Sequence, residues 1–166
     1  AVAITGTAAE VTAALVTAGS LVVVSDATVT ITGNPTITEL NAIAAKTTGV
    51  VTATLAAASL TALGDLSTAA TDDITITVND ADNAAVTAAN LSTLGGKTAG
   101  TVTVSNAVAI TGDHDQLTAA LVTAGTKVEV GAATVTVNDA DATAITAAEL
   151  SACLLYTSDA ADDDTR

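Results

Sequence analysis

The feature that most constrains this chain is that it repeats itself. Residues 1–24 read AVAITGTAAEVTAALVTAGSLVVV and residues 107–130 read AVAITGDHDQLTAALVTAGTKVEV, identical at 16 of 24 positions. Residues 74–92, ITITVNDADNAAVTAANLS, and 133–151, ATVTVNDADATAITAAELS, agree at 13 of 19. The segment ATVTI at 27–31 continues the first copy as ATVTV at 133–137 continues the second. A long period of 106 residues therefore contains shorter, more diverged units, and chains of this kind stack units instead of closing one core. Composition agrees. Apolar residues make up 49 % and aromatics 1 %. The interior must then be thin layers of Ala, Val, Leu and Ile, without the large area that aromatic rings bury.

The shorter unit follows from periodicity. Val22–Val24, Val29–Ile31, Ile74–Val78, Val102–Val104, Val108–Ile110, Val128–Val130 and Val135–Val137 are short runs of Val, Ile and Thr that predict strands. Between them, Val11, Ala14, Leu15 and Ala18 keep the spacing of one helix face, and Leu117, Ala120, Leu121 and Ala124 repeat it. Thr7-x-x-Glu10, Thr36-x-x-Glu39 and Asp113-x-x-Gln116 have the form of capping boxes. Gly19 and Gly125 stand where a left-handed residue ends a helix. Helices are predicted near 8–18, 36–45, 58–64, 84–94, 114–124 and 142–151. The implied fold is α/β: a repeat solenoid of β-β-α coils of roughly 20–30 residues, with short parallel strands and short helices. A β-meander, with a hairpin around Gly131-Ala132, is the alternative. Pro35 is the sole proline and marks no linker.

Two boundaries are expected. Ala1 begins in the same repeat phase as Ala107, so the chain reads as a piece of a longer array spanning residues 1–152. Residues 153–166 break the composition, since they hold the only Cys, the only Tyr and the only Arg. The string CLLYTSDAAD at 153–162 resembles the translation of a transposase-type sequencing adapter, which implies a metagenomic read and a non-native or disordered tail. The competing reading is a genuine acidic tail. Without that tail no cysteine is left for a disulfide or a thiolate site.

The phrases LGGKTAGTVTVSNAVAITG, TAALVTAGTKVEV and TVTVNDADATAITAAELSA resemble repeat tracts of giant secreted or surface proteins of marine bacteria, especially cyanobacterial adhesin-like and hemolysin-type repeat proteins. That resemblance covers residues 1–152 and implies an extracellular, non-catalytic role. The glycine- and aspartate-rich nonapeptide that binds calcium in hemolysin-type repeats does not occur in the sequence, so the best-defined site of such proteins does not carry over.

Charge narrows the partners. A net charge of −14 with four basic residues argues against nucleic acid, which needs clustered Lys and Arg. It argues equally against anionic membrane surfaces, and no apolar run approaches the ~20 residues that cross a bilayer. Asn79-Asp80-Ala81-Asp82 and Asn138-Asp139-Ala140-Asp141 recur after strands. Their oxygens suit calcium, which makes Asp80, Asp82, Asp139 and Asp141 the candidate metal ligands. The same residues also serve to end strands and cap helices. Gly96-Lys97-Thr98 resembles the end of a phosphate loop, but Leu91 stands where that loop needs Gly, and a helix precedes it. It reads as a helix-to-strand turn equivalent to Lys46-Thr47. His114, the sole His, reads as a surface residue near a cap.

Thr28-Val29-Thr30, Thr75-Ile76-Thr77, Thr101-Val102-Thr103 and Thr134-Val135-Thr136 would form a flat threonine array if stacked in register on one face. Such arrays resemble the ice-binding faces of β-solenoid antifreeze proteins. Thr is also simply favoured on exposed strand faces.

The expected function is a non-catalytic structural or adhesive repeat segment of a large bacterial protein, secreted or on the cell surface. Its expected partners are neighbouring repeats and cell-surface or carbohydrate ligands. The alternative is a ligand-binding solenoid, using calcium at the turns or ice or carbohydrate on the threonine face. Calcium is the one cofactor these residues suggest, and no acid/base constellation supports an enzyme. Expressed alone, such a piece is expected to fray or to associate end to end.

Overall fold

The computed structural model describes residues 1–154 except Ala18, Leu21, Ala124, Asp141 and Ala142, with the backbone alone described for 152–154. Fifteen short elements alternate along it. They are β1 (Ala3–Thr7), α1 (Ala8–Leu15), β2 (Thr28–Thr32), α2 (Ile37–Ala44), β3 (Val51–Thr54), α3 (Leu60–Leu63), β4 (Asp73–Val78), β5 (Ala85–Thr87), α4 (Ala88–Gly95), β6 (Val102–Val104), β7 (Val108–Gly112), α5 (His114–Leu117), β8 (Val128–Val130), β9 (Ala133–Val137) and α6 (Ala147–Leu154). A single π turn, Thr118–Val122, continues α5.

The class is α/β and every strand pair is parallel. One sheet has six strands in the order β1-β2-β3-β4-β6-β8, and the other has three, β5-β7-β9. Ala3 lies opposite Thr28, Val29 opposite Val51, Thr52 opposite Asp73, Ile76 opposite Val102 and Val102 opposite Val128, so the chain advances 21 to 26 residues between neighbours. In the small sheet Ala85 faces Ala109 and Val108 faces Ala133, within the same range. Strand β4 is shared end to end: Asp73–Thr75 pairs with β3 and Ile76–Val78 with β6. The hairpin alternative fails, because β8 and β9 lie in different sheets.

Alternation sets the faces. On β2 and β4 the aliphatic residues are buried and the intervening Thr or Asp largely face outward, the period-2 pattern of a half-buried strand. Val29, Ile74, Ile76, Val102 and Ile110 are fully buried against Leu40, Ile43, Leu63, Leu91 and Leu117 of the helices. All three predicted capping boxes form, and a fourth occurs at Thr146 and Glu149. These caps matter because helices of four to eight residues are too short to persist alone. Gly19 and Gly125 have positive φ as expected, although the helical turns before them already end at Leu15 and Val122.

Three expectations need correction. Val22–Val24 takes part in no strand pairing among the described residues, although its copy Val128–Val130 is β8. The helix expected at 84–94 begins at Ala88, because Ala85–Thr87 pairs with β7 as β5. The helix expected at 114–124 is four α residues followed by the π turn. Strands β1 and β3 also arise where none was predicted. Helix α6 runs through Cys153 to Leu154, and the rest of the expected tail, 155–166, lies outside the described residues.

Candidate functional site

The fold uses the acidic turns and the threonine pairs differently. Asp80 accepts the N–H of Leu60, the first residue of α3, at 2.7 Å. Asp139 accepts the N–H of His114, the first residue of α5, at 3.0 Å. Asp82 accepts the Ala107 N–H at 3.0 Å. Each carboxylate therefore satisfies a backbone donor 20 to 25 residues away in a neighbouring unit. Asp141 lies outside the described residues. Among the described residues no three His, Cys, Asp or Glu side chains gather as a metal site requires.

His114 stands beside the Asp113 cap as expected, but it is partly covered and paired. Its Nδ1 lies 2.7 Å from Asp139 Oδ1, its Nε2 lies 3.3 Å from Asp115, and its side chain is only 16 % exposed. The hydrogen bond to Asp139 raises the imidazole pKa above its ordinary 6.5; burial opposes it, and the nearby charges of Asp115, Asp139 and Glu149 add to the rise. The same bond lowers Asp139 below its ordinary 3.8. In the capping boxes, the backbone N–H of Thr7, Thr36 and Thr146, and then their hydroxyls, hold Glu10, Glu39 and Glu149 below 4.5.

The helix-to-strand turns carry a device of their own. Buried Thr98 accepts from Ile74 N–H at 2.9 Å and Gly100 N–H at 2.8 Å, and its hydroxyl donates toward the carbonyls of Ile74 and Asp72. Buried Asp72 accepts Val51 N–H at 2.8 Å and Ala69 N–H at 2.9 Å. Thr47 repeats the pattern, donating to the Ala27 carbonyl at 2.6 Å and accepting from Gly49 at 3.0 Å. The glycines are required by closeness: a Cβ on Gly100 would lie 2.5 Å from the Ile74 carbonyl oxygen, and one on Gly49 2.3 Å from that of Ala27. Gly96-Lys97-Thr98 is thus a backbone clasp between units, with the Lys97 ammonium donating to the Gly64 carbonyl at 2.7 Å.

The threonines are what remains outward. Across the six-stranded sheet Thr5 faces Thr30 and Thr30 faces Thr52, while Thr7 faces Thr32, Thr54 faces Thr75 and Thr77 faces Thr103. Two of these rows end on acids, Asp73 after Thr52 and Glu129 after Thr103. Spacing within the lattice is about 4.8 Å across strands and about 6.7 Å along them. Of the four predicted pairs, Thr28/Thr30 and Thr75/Thr77 lie on this sheet with Thr103, while Thr101 sits just before β6. Thr134/Thr136 lies on the small sheet, where Thr87, Thr111 and Thr136 form a row of their own. The pairs Thr5/Thr7 and Thr52/Thr54 enlarge the array. Both are Thr-x-Thr in the sequence, with Gly or Ala between them in place of a β-branched residue.

A groove of about 360 Å³ is lined by Leu15, Val16, Val22, Val24 and neighbouring residues, with Lys46 the one charged side chain on its described wall. No described helix is long and apolar enough to cross a membrane. No known protein family, curated protein or solved structure matches the chain.

Proposed function

We propose that the chain is a non-catalytic structural and adhesive segment of a large extracellular bacterial protein, built as a solenoid of stacked β-β-α coils. The observation that carries this reading is where the polar side chains are used. Asp72, Asp80, Asp82, Asp139, Thr47 and Thr98 all bind backbone groups of an adjacent unit. Their chemistry is consumed in holding coil to coil, and the parallel pairing in chain order supplies the remaining contacts. Reach and weak repeated contact are what such a segment provides.

Deleting residues 85–108 tests the stacking, because it joins Ala84 to Ala109, the register partner of Ala85. One coil is removed with the ladder kept in phase. The shortened chain should fold cooperatively, with a smaller urea m-value in proportion to the surface lost. An unfolded product would count against stacked coils.

A second reading is favoured by the in-register threonine rows: the six-stranded sheet binds an ordered surface, ice or crystalline carbohydrate. Thr30→Lys with Thr32→Lys changes two exposed side chains and should abolish ice shaping and retention on crystalline polysaccharide. If the unaltered chain does neither, this reading falls and the spacer role stands. Calcium at the acidic turns has less support, since Asp80, Asp82 and Asp139 already accept backbone donors. A rise in melting temperature with calcium would restore it.

A further inference from the structure

The interior holds an interface whose two halves recur elsewhere in the chain, where no described residue covers them. Inside, β5 and α4 pack on β7, α5 and the π turn. Ala85, Val86 and Thr87 lie opposite Ala109, Ile110 and Thr111, and the Ala109 N–H donates to the Ala84 carbonyl at 2.9 Å. Gly112 permits the approach, since a Cβ there would lie 2.9 Å from the Ala88 Cβ.

Both halves are present twice in the chain. AVTAANLS at 85–92 recurs as AITAAELS at 144–151, and VAITG at 108–112 recurs unchanged at 2–6. The second copies keep two contacts of the first, although β1 begins the six-stranded sheet and β7 lies within the three-stranded one. Asp139 holds the start of α5 as Asp80 holds the start of α3. Strand β1 meets β2 in the register in which β7 meets β9, Ala3 to Thr28 and Ala109 to Thr134. Their cover differs among the described residues. Leu91 is fully buried, but its counterpart Leu150 is 42 % exposed; Val108 is fully buried, but its counterpart Val2 is 62 % exposed.

We propose that the chain associates head to tail with a second copy of itself. Thr143–Ser151 of one copy would dock on β1 and α1 of the next and repeat the internal register. Ala144 then lies opposite Ala3, Ile145 opposite Ile4 and Thr146 opposite Thr5. The Ala3 N–H donates to the Thr143 carbonyl, as Ala109 does to Ala84. Gly6 stands where Gly112 stands, leaving room for Ala147 as Gly112 does for Ala88. The occupant is a second copy because each uncovered face already has a matching partner within this chain, in the interface seen between β5/α4 and β7/α5. Such an interface is heterologous, so each added copy leaves one face of each kind open and growth does not close. The net charge of −14 per copy opposes association, which should therefore strengthen with salt.

The test is sedimentation velocity on the full chain over a range of concentration and salt. Ala3→Pro removes the outward donor of β1, and Leu150→Asp places a charge in the opposite face. Both positions are exposed in the single chain, and circular dichroism checks that the fold is kept. Val2→Asp replaces Ala3→Pro if proline disturbs β1. The unaltered chain should grow in mass without a plateau. Each variant alone should be a monomer. The two variants mixed should give a dimer and nothing larger, because each supplies the face the other lacks. A monomeric unaltered chain at every concentration and salt, a variant that still associates alone, or a mixture that stays monomeric would each overturn the proposal. The coil deletion reads stacking within the chain and this experiment reads stacking between chains, so the two can fail independently.

Discussion

Replacing Thr98 by Val keeps the side-chain shape and removes one oxygen. That oxygen accepts from two backbone N–H groups, Ile74 and Gly100, and donates one proton toward the Ile74 and Asp72 carbonyls, which exhausts what a hydroxyl offers. Thr98 is 3 % exposed, so water cannot readily take over. Each buried backbone group left without a partner costs about 1–3 kcal/mol. With two donors orphaned and the carbonyls partly served elsewhere, the expected loss is about 2–4 kcal/mol, a large part of the ~5–15 kcal/mol that usually holds a domain folded. Urea unfolding followed by circular dichroism should show a lower midpoint with an unchanged slope. Thr30→Val, on the exposed face of β2, is the control and should change stability by no more than about 0.5 kcal/mol. Equal effects at Thr98 and Thr30 would refute the idea that this threonine clasps two units together.

Gly100→Ala should destabilise the same turn, because its methyl would meet the Ile74 carbonyl; a lower melting temperature checks this, and no change would mean the strands can part without penalty. Thr36→Ala removes the cap of α2 and should cost about 1 kcal/mol in urea unfolding. The His114–Asp139 pair should favour mildly acidic conditions. With His114 raised, its contribution is complete below the unfolded imidazole value of 6.5 and is lost as pH rises through the folded value. With Asp139 lowered, its contribution is complete above the unfolded 3.8 and is lost as pH falls through the folded value. The melting-temperature gap between the unaltered chain and Asp139→Asn should therefore be widest between about pH 4 and 6.5 and narrower at pH 8; a gap that widens toward pH 8 would count against the pair.

Much of this fold was legible because its signals are local. The capping boxes at Thr7, Thr36 and Asp113 are legible from their spacing, and the one at Thr146 has the same spacing. What escaped depends on partners. Ala85–Thr87 has the composition of a helix start and becomes a strand only because Ala109–Thr111 lies beside it. Val22–Val24 has strand composition, yet no described segment pairs with it. Strands β1 and β3 carry Gly6 and Ala53 at inward positions, which weakened an alternation the ladder nevertheless enforces. The acidic turns were recognisable as a motif, but their use was not. That Asp80 and Asp139 hold helix starts one unit back is a relation between residues 20 to 25 apart, and short-range spacing does not encode it.

The steady advance of 21 to 26 residues between neighbouring strands has a mechanical consequence. Tension applied between the two ends of the chain does not shear a ladder along its length. It peels the outermost strand from the next, breaking a few hydrogen bonds at a time. Each rupture releases one unit, which extends by up to about 70–90 Å at the reach of a stretched backbone. Under load the chain would lengthen in a series of similar steps at low force, the behaviour of an extensible tether and not of a rigid strut.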